Sequence, residues 1–208
     1  TGIAGPFRGS EPRGRLVNDG SGFFWGTTAR GGGADLGTVF KVEALTGKLT
    51  TLAEFTGTGG ALRGSEPWAG LTRDAGGAFV FWGTTNKGGH GDFGTIFRIG
   101  GSGEISTVFD FTGTGGAVPG ANPGAGALLA YTDGSLYGTT FAGGVSGSGD
   151  PSGGGQIFRV NLPDITVHDG AAVSAPVLSD DQQVPVDFGR NVQGAFSARS
   201  FVISNTSS

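Results

Sequence analysis

"FWGTTNKGGHGDFGTIFRI", from Phe81 to Ile99, is a near copy of "FWGTTARGGGADLGTVFKV", from Phe24 to Val42; the two share eleven of nineteen residues at an offset of 57. A looser third copy, "LYGTTFAGGVSGSGDPSGGGQIFRV", runs from Leu136 to Val160. A second phrase keeps the same register. "TGTGGALRGSEP" (Thr56 to Pro67) returns 56 residues later as "TGTGGAVPGANP" (Thr112 to Pro123), and the opening "TGIAGPFRGSEP" matches it at eight of twelve positions. A fixed period of this size marks a repeat architecture in which each period is one supersecondary unit. The units fall at about 1–55, 56–111 and 112–162, and the pattern stops before a tail of 163–208.

One period reads as four short strands. "WAGLTRD" ends in a polar turn, and "AFVFWGTT" is aromatic and β-branched, as strands prefer. "NKGGHGDFG" is a glycine-rich connection, "GTIFRI" a third strand, and "EISTVFDF" or "KLTTLAEF" a fourth. Helical periodicity is absent. The second strand is apolar at successive positions, the pattern of a sheet covered on both faces. Four antiparallel strands per period, in tandem, predict an all-β chain of about three β-propeller-like blades in an incomplete ring. Phe40, Phe97 and Phe158, with Val39, Ile96 and Ile157, share register and are expected to be buried at equivalent positions. The third unit carries a six-residue insertion around Ser146 to Gly155 and lacks a fourth strand after Val160.

Composition agrees with this reading. The 208 residues include 45 glycines, about three times the usual share, yet 16 phenylalanines supply something to bury. A net charge of −4 without a basic run excludes the electrostatic footprint of a nucleic-acid binder. No apolar stretch approaches the roughly 18 residues of a membrane helix. Cysteine is absent, which excludes disulfides and thiolate chemistry. Methionine is absent even at position 1, so the chain is expected to be a processed or truncated piece, with any signal peptide and at least one further repeat upstream.

Leu/Phe-Tyr/Trp-Gly-Thr-Thr, then Gly-Gly, then Gly-Thr-Val-Phe, a Leu-x-x-Phe strand and a Gly-x-x-Pro turn together resemble the GloVer tandem repeat of secreted and surface-anchored bacterial proteins. The resemblance covers roughly residues 1–162 and implies an extracellular, propeller-like array with no established activity. In the tail, Val-Asp-Phe-Gly (Val186 to Gly189), Gly194 and Phe-x-Ile-x-Asn-Thr (Phe201 to Thr206) resemble the start of a choice-of-anchor D immunoglobulin-like domain. Such a sandwich takes about seven strands, so the tail is expected to be a partial one. Its apolar residues, such as Val186, Phe188, Phe201 and Ile203, are expected to be completed by strand addition to a neighbouring subunit, a contact that propagates into a filament.

Four residue sets invite a chemical reading. Gly-Thr-Thr-x-x-Gly-Gly lacks the Lys-Ser/Thr and the following helix of a phosphate loop. Trp25, Trp82 and Tyr137 share one position; on a rim they would stack on sugar rings, and the alternative is packing between blades. Asp35 and Asp92 share a loop position, with Asp150 in the third copy. Calcium needs six to eight oxygens and several carboxylates, whereas each loop offers one, which favours a loop Asp bonded to nearby amides. Glu54 and Asp110, and Glu11 and Glu66, recur in register as turn or strand-end residues. His90 stands where the first copy has Gly33, and His168 lies in the tail; neither has a zinc ligand set beside it. No serine lies in a nucleophile elbow.

These readings predict no cofactor, no catalytic centre and no metal. The expected partners are other subunits or further repeats of the same protein, and carbohydrate is the expected small ligand class. The favoured function is a non-catalytic extracellular or cell-surface module for structure, adhesion or assembly. The alternative is a secreted propeller hydrolase or lyase acting on polysaccharide. Non-repeated polar residues converging at one place favour the enzyme, and repeated ones favour the scaffold.

Overall fold

The computed structural model describes residues 8–75, 80–100, 103–124, 126–132, 134–144, 154–160, 165–169, 177–178 and 201–205. The chain forms two compact units, Thr1–Val160 and Asn161–Ser208. The described residues contain strands and turns and no helix.

The first period makes one antiparallel sheet from β1 (Val17–Asn18), β2 (Phe23–Thr28), β3 (Thr38–Glu43) and β4 (Leu49–Glu54), in chain order. The second repeats it with β5 (Thr72–Arg73), β6 (Phe81–Thr85), β7 (Thr95–Ile99) and β8 (Ile105–Asp110). Even the irregularities return. The ladder between the third and fourth strands slips at Val39/Phe40 in one sheet and at Ile96/Phe97 in the other, a bulge that raises local twist.

The third sheet differs. β10 (Leu129–Ala130), β11 (Leu136–Ala142) and β12 (Gln156–Val160) occupy the places of the first three strands, and the fourth strand comes from upstream: β9 (Ala121–Pro123) pairs with the far end of β11. The corresponding segments in the other sheets make only single bridges, Ser10 to Arg30 and Ser65 to Lys87. No strand flanks the outer edge of β12 among the described residues, as the sequence led one to expect.

The motif itself explains the strand packing. Gly26, Gly83 and Gly138 face Phe40, Phe97 and Phe158 as direct cross-strand partners. A methyl group added at Gly83 would lie 2.7 Å from Cε1 of Phe97 and 3.0 Å from Leu71 Cδ2. Glycine here is therefore the floor on which the ring lies. The following Thr-Thr pair splits its work. Thr28 and Thr85 join their hydroxyls to those of Thr38 and Thr95, each at 2.8 Å. Thr27 points the other way and donates to the Ala69 carbonyl of the next unit at 3.3 Å.

Strand alternation gives each sheet two faces. Trp25, Thr27 and Val39 lie on the downstream face of the first sheet; Leu71, Phe81, Phe97 and Ile99 lie on the upstream face of the second. These two faces pack as one core, with Phe55 and Leu62 sealing it. Trp25 meets Phe81 at 5.5 Å between ring centroids. Phe55 meets Phe97 edge-on at 5.1 Å and 70°, and Phe111 meets Phe158 at the same distance and angle one period later. Each such pair contributes about 0.5–1.5 kcal/mol beyond area burial.

Five of the six residues expected to be buried are buried: Val39, Phe40, Ile96, Phe97 and Phe158. Ile157 is the exception and is 79% exposed. Its register is that of Val39 and Ile96, but no sheet lies on the face it occupies.

In the tail unit, β13 (Ile165–Asp169) pairs antiparallel with both β14 (Val177–Leu178) and β15 (Phe201–Asn205). The strands expected to pair with a neighbouring subunit pair here within their own chain, because both edges of β13 are already taken. Val186 and Phe188 lie outside the described residues, as does most of the third-copy insertion, 145–153. Among the described residues no helix is long and apolar enough to cross a membrane.

The glycine–phenylalanine floor makes a direct test. Gly83→Ala is expected to destabilise the protein by about 2–3 kcal/mol through overpacking against Phe97. Gly59→Ala, where an added methyl meets nothing within 4 Å, is expected to change stability by less than about 0.5 kcal/mol. Urea midpoints measure both; equal effects would contradict the packing role.

Candidate functional site

The repeated aromatics are embedded in the stack, each beneath a cation. Trp25 and Trp82 are buried, at 3% and 2% exposure; Tyr137 is half-buried. Their cross-strand partners are Lys41, Arg98 and Arg159. The Lys41 ammonium lies 5.6 Å from the Trp25 ring, the Arg98 guanidinium 6.0 Å from Trp82, and that of Arg159 5.8 Å from Tyr137. A cation over an aromatic face adds about 0.5–1 kcal/mol. The series Lys41, Arg98 and Arg159 went unremarked in the sequence, though "FKV", "FRI" and "FRV" carry it in register.

Trp25 has a polar anchor as well. Its indole N–H donates to Asp19 at 3.0 Å, and the Ser21 and Phe23 amides donate to the other carboxylate oxygen. Burial disfavours the Asp19 charge, but the Trp25 indole, the two amides and the Lys41 charge outweigh it and hold the carboxyl below the usual aspartate value. In the second unit Asp74 closes the equivalent turn, its amide donating to Val80 O at 2.9 Å. That turn is two residues longer, and Trp82 Nε1 has no hydrogen-bond partner among the described residues.

The glycine-rich connection between the second and third strands is held by its aspartate. Asp35 and Asp92 adopt left-handed backbone, φ 58° and 60°, and accept the Gly31 and Gly88 amides, each at 2.7 Å. Asp150 lies outside the described residues. Glu11, Glu66 and Asn122 also share a left-handed conformation, at φ 55°, 55° and 53°. The latter two cross to the preceding unit: the Glu66 amide donates to Leu36 O at 3.0 Å and the Asn122 amide to Phe93 O at 2.8 Å. Pro67 and Pro123 then lie where a side chain at Gly37 or Gly94 would be, 2.7 and 2.6 Å from an added methyl.

Charged residues gather at the same end. Arg8 pairs with Glu54 at 3.1 Å, and the Gly33 amide donates to the other Glu54 oxygen at 2.7 Å. The Gly33 bond, with Arg8 and against burial, holds the Glu54 carboxyl below its usual value. One period on, Arg63 binds Asp110 at 3.0 Å, and His90, replacing Gly33, brings Nδ1 to 2.5 Å from the same carboxylate. Asp110 is one methylene shorter than Glu54, and the imidazole reaches it where a backbone amide reached the glutamate. Glu66 is buried and receives Arg30 from the preceding unit at 3.0 Å and Lys87 at 3.4 Å. Among the described residues, no three His, Cys, Asp or Glu side chains gather where they could hold one metal ion.

Four-stranded sheets, one per period and bound through residues that recur in register, define a tandem-repeat β protein. Residues 4–186 match the Gloeobacter/Verrucomicrobia repeat, and the chain belongs to that family. No curated protein matches the chain.

Two measurements probe these anchors. Because the folded-state pKa of Asp19 is lowered, its contribution is present above the unfolded value of about 3.9 and is lost as pH falls through the folded value. Asp19→Asn is expected to cost about 1–3 kcal/mol at pH 7 and to flatten the fall in Tm below about pH 4; parallel pH curves would contradict this. For the loop, Asp92→Ala is expected to lose about 1–2 kcal/mol with the Gly88 bond. Asp92→Asn, which keeps an acceptor and tolerates left-handed backbone, is expected to stay within about 0.5 kcal/mol. Thermal melts with and without millimolar calcium should superimpose for all three proteins; a calcium-dependent shift of several degrees, abolished by Asp92→Asn, would overturn the amide-binding role.

Proposed function

We infer that this chain is a non-catalytic module of an extracellular or cell-surface protein, serving structure, adhesion or assembly through a propeller-like stack of sheets. One observation carries the inference: the polar residues that recur in register are spent on architecture. Asp35 and Asp92 hold loop amides, the threonine pairs hold each other, and Arg8–Glu54 and Arg63–Asp110 join the start of a unit to its last strand. Face-to-face stacking of four-stranded antiparallel sheets in chain order supports the blade reading. Membership in the repeat family, whose GloVer pattern the chain resembles, supports the surface location. The antiparallel sheet of β13, β14 and β15 supports reading the tail as part of an immunoglobulin-like domain. The partners that fit are further repeats or other subunits, with carbohydrate as the small ligand class.

A polysaccharide hydrolase or lyase is the second reading. It is favoured by one feature, the exposed His90 imidazole against the largely buried Asp110 carboxylate, since a carboxylate-oriented histidine is a usual general base. Both readings are separated by incubating the chain with a panel of neutral and acidic polysaccharides, following reducing ends and the ultraviolet absorbance of unsaturated uronates. No turnover above the His90→Gly variant is expected. Turnover that is lost in His90→Gly, with its fold intact, would establish the enzyme.

A further inference from the structure

The stack has two faces that do not close within it. On the downstream side, Val39 and Ile96 are fully buried by the following sheet, whereas Ile157 at the same register position is 79% exposed. Thr27 and Thr84 are buried, and their counterpart Thr139 is exposed. Leu129 and Phe141, on the same side of the third sheet by strand alternation, are exposed as well. On the upstream side, Leu71 of the second sheet is 4% exposed and its counterpart Leu16 in the first is 49%. Phe24 and Val42 are only half-buried, where Phe81 and Ile99 are fully covered.

These two faces are complementary in a stated way. Twice within the chain, a downstream face carrying an aromatic, a threonine and a β-branched residue receives an upstream face built on a leucine and a phenylalanine. The third sheet offers Tyr137, Thr139 and Ile157; the first offers Leu16, Phe24, Phe40 and Val42, with Gly26 as the floor beneath Phe40 and Leu16, whose atoms lie 2.8 and 2.7 Å from a methyl added there. The unsatisfied pair therefore repeats an interface the molecule already builds, with the same residue classes in the same register. Contiguous exposed apolar faces of this kind mark interaction sites.

We propose that the downstream face of the third sheet docks on the upstream face of the first sheet of a second copy of this chain, a contact that rests on the structural-module reading above. The contact is heterologous, head to tail, so it extends or closes according to the rotation between copies. An isologous pairing of two third sheets would instead set Ile157 against Ile157 and leave Leu16 free.

Sedimentation velocity of the full chain from 1 to 100 µM tests this, with Ile157→Glu and Leu16→Glu as variants. The wild type is expected to associate beyond a dimer as concentration rises. Each variant alone is expected to be monomeric with a circular dichroism melt near that of the wild type, because both side chains are exposed. An equimolar mixture of the two variants is expected to form a heterodimer and stop there, since each supplies the one intact face the other lacks. A wild type that stays monomeric at 100 µM with its melt intact overturns the docking and leaves the absence of turnover, and so the module reading, standing. Leu16→Glu dimers as stable as the wild type, or a mixture that remains monomeric, overturn it too. A monomeric wild type that is destabilised by Ile157→Glu also overturns it, and would assign the third-sheet face to a segment of its own chain.

Discussion

The cross-strand pairing of glycine with phenylalanine is the constraint on which the stack depends. A glycine inside a strand weakens it, because it packs nothing and loses more backbone freedom than other residues. Here the missing side chain admits the ring of Phe40, Phe97 or Phe158 flat against the opposite strand. That position lets Phe55 and Phe111 meet the second and third of these rings edge-on with one repeated geometry. A larger residue at Gly83 would lift the Phe97 ring into the space that the first sheet's Phe55 occupies. Local strand chemistry and the spacing between sheets are thus set by one residue choice, made once per period.

The loop end of each unit solves a different problem, that of joining consecutive sheets without a helix or a disulfide. The chain does so with backbone bonds placed by left-handed residues. Glu66 and Asn122 turn their segments so that their amides meet carbonyls of the preceding unit, and a proline follows to fill the space over Gly37 or Gly94. Charge then adds to what the backbone has fixed: Glu66 binds Arg30 across the junction. Exposed ion pairs contribute little on their own, but the Glu66 carboxylate is buried, so removing its partners would leave a charge without compensation.

Much of this was legible in the sequence, because a repeat writes its grammar several times. The strands, the turn residues and the amide-binding role of Asp35 and Asp92 follow from register and from the chemistry of aspartate among glycines. Ile157 was misjudged for a physical reason: a residue's register sets the face it occupies, while burial also requires something to cover that face. The Asp19–Trp25 bond was hidden for another reason, since it depends on turn length, and two extra residues separate Asp74 from the equivalent closure. The Lys41, Arg98 and Arg159 series was visible as a pattern but meaningless until the ladder set each cation opposite its aromatic. The recruitment of β9 to β11 had no sequence signal, because it extends in the third unit what is a single bridge in the others.

Stacked repeats whose stability comes from their interfaces should protect each sheet according to how many of its faces are covered. Native-state amide hydrogen exchange measures this directly, by comparing β6–β7 with β2–β3 and β11–β12 at concentrations where the chain is monomeric. The account predicts slowest exchange in β6–β7, covered on both faces, and exchange about tenfold faster or more in β11–β12, whose downstream face is open. Equal protection across the three sheets, or the slowest exchange in the third, would contradict the claim that the repeated phrase stabilises the protein through packing between sheets.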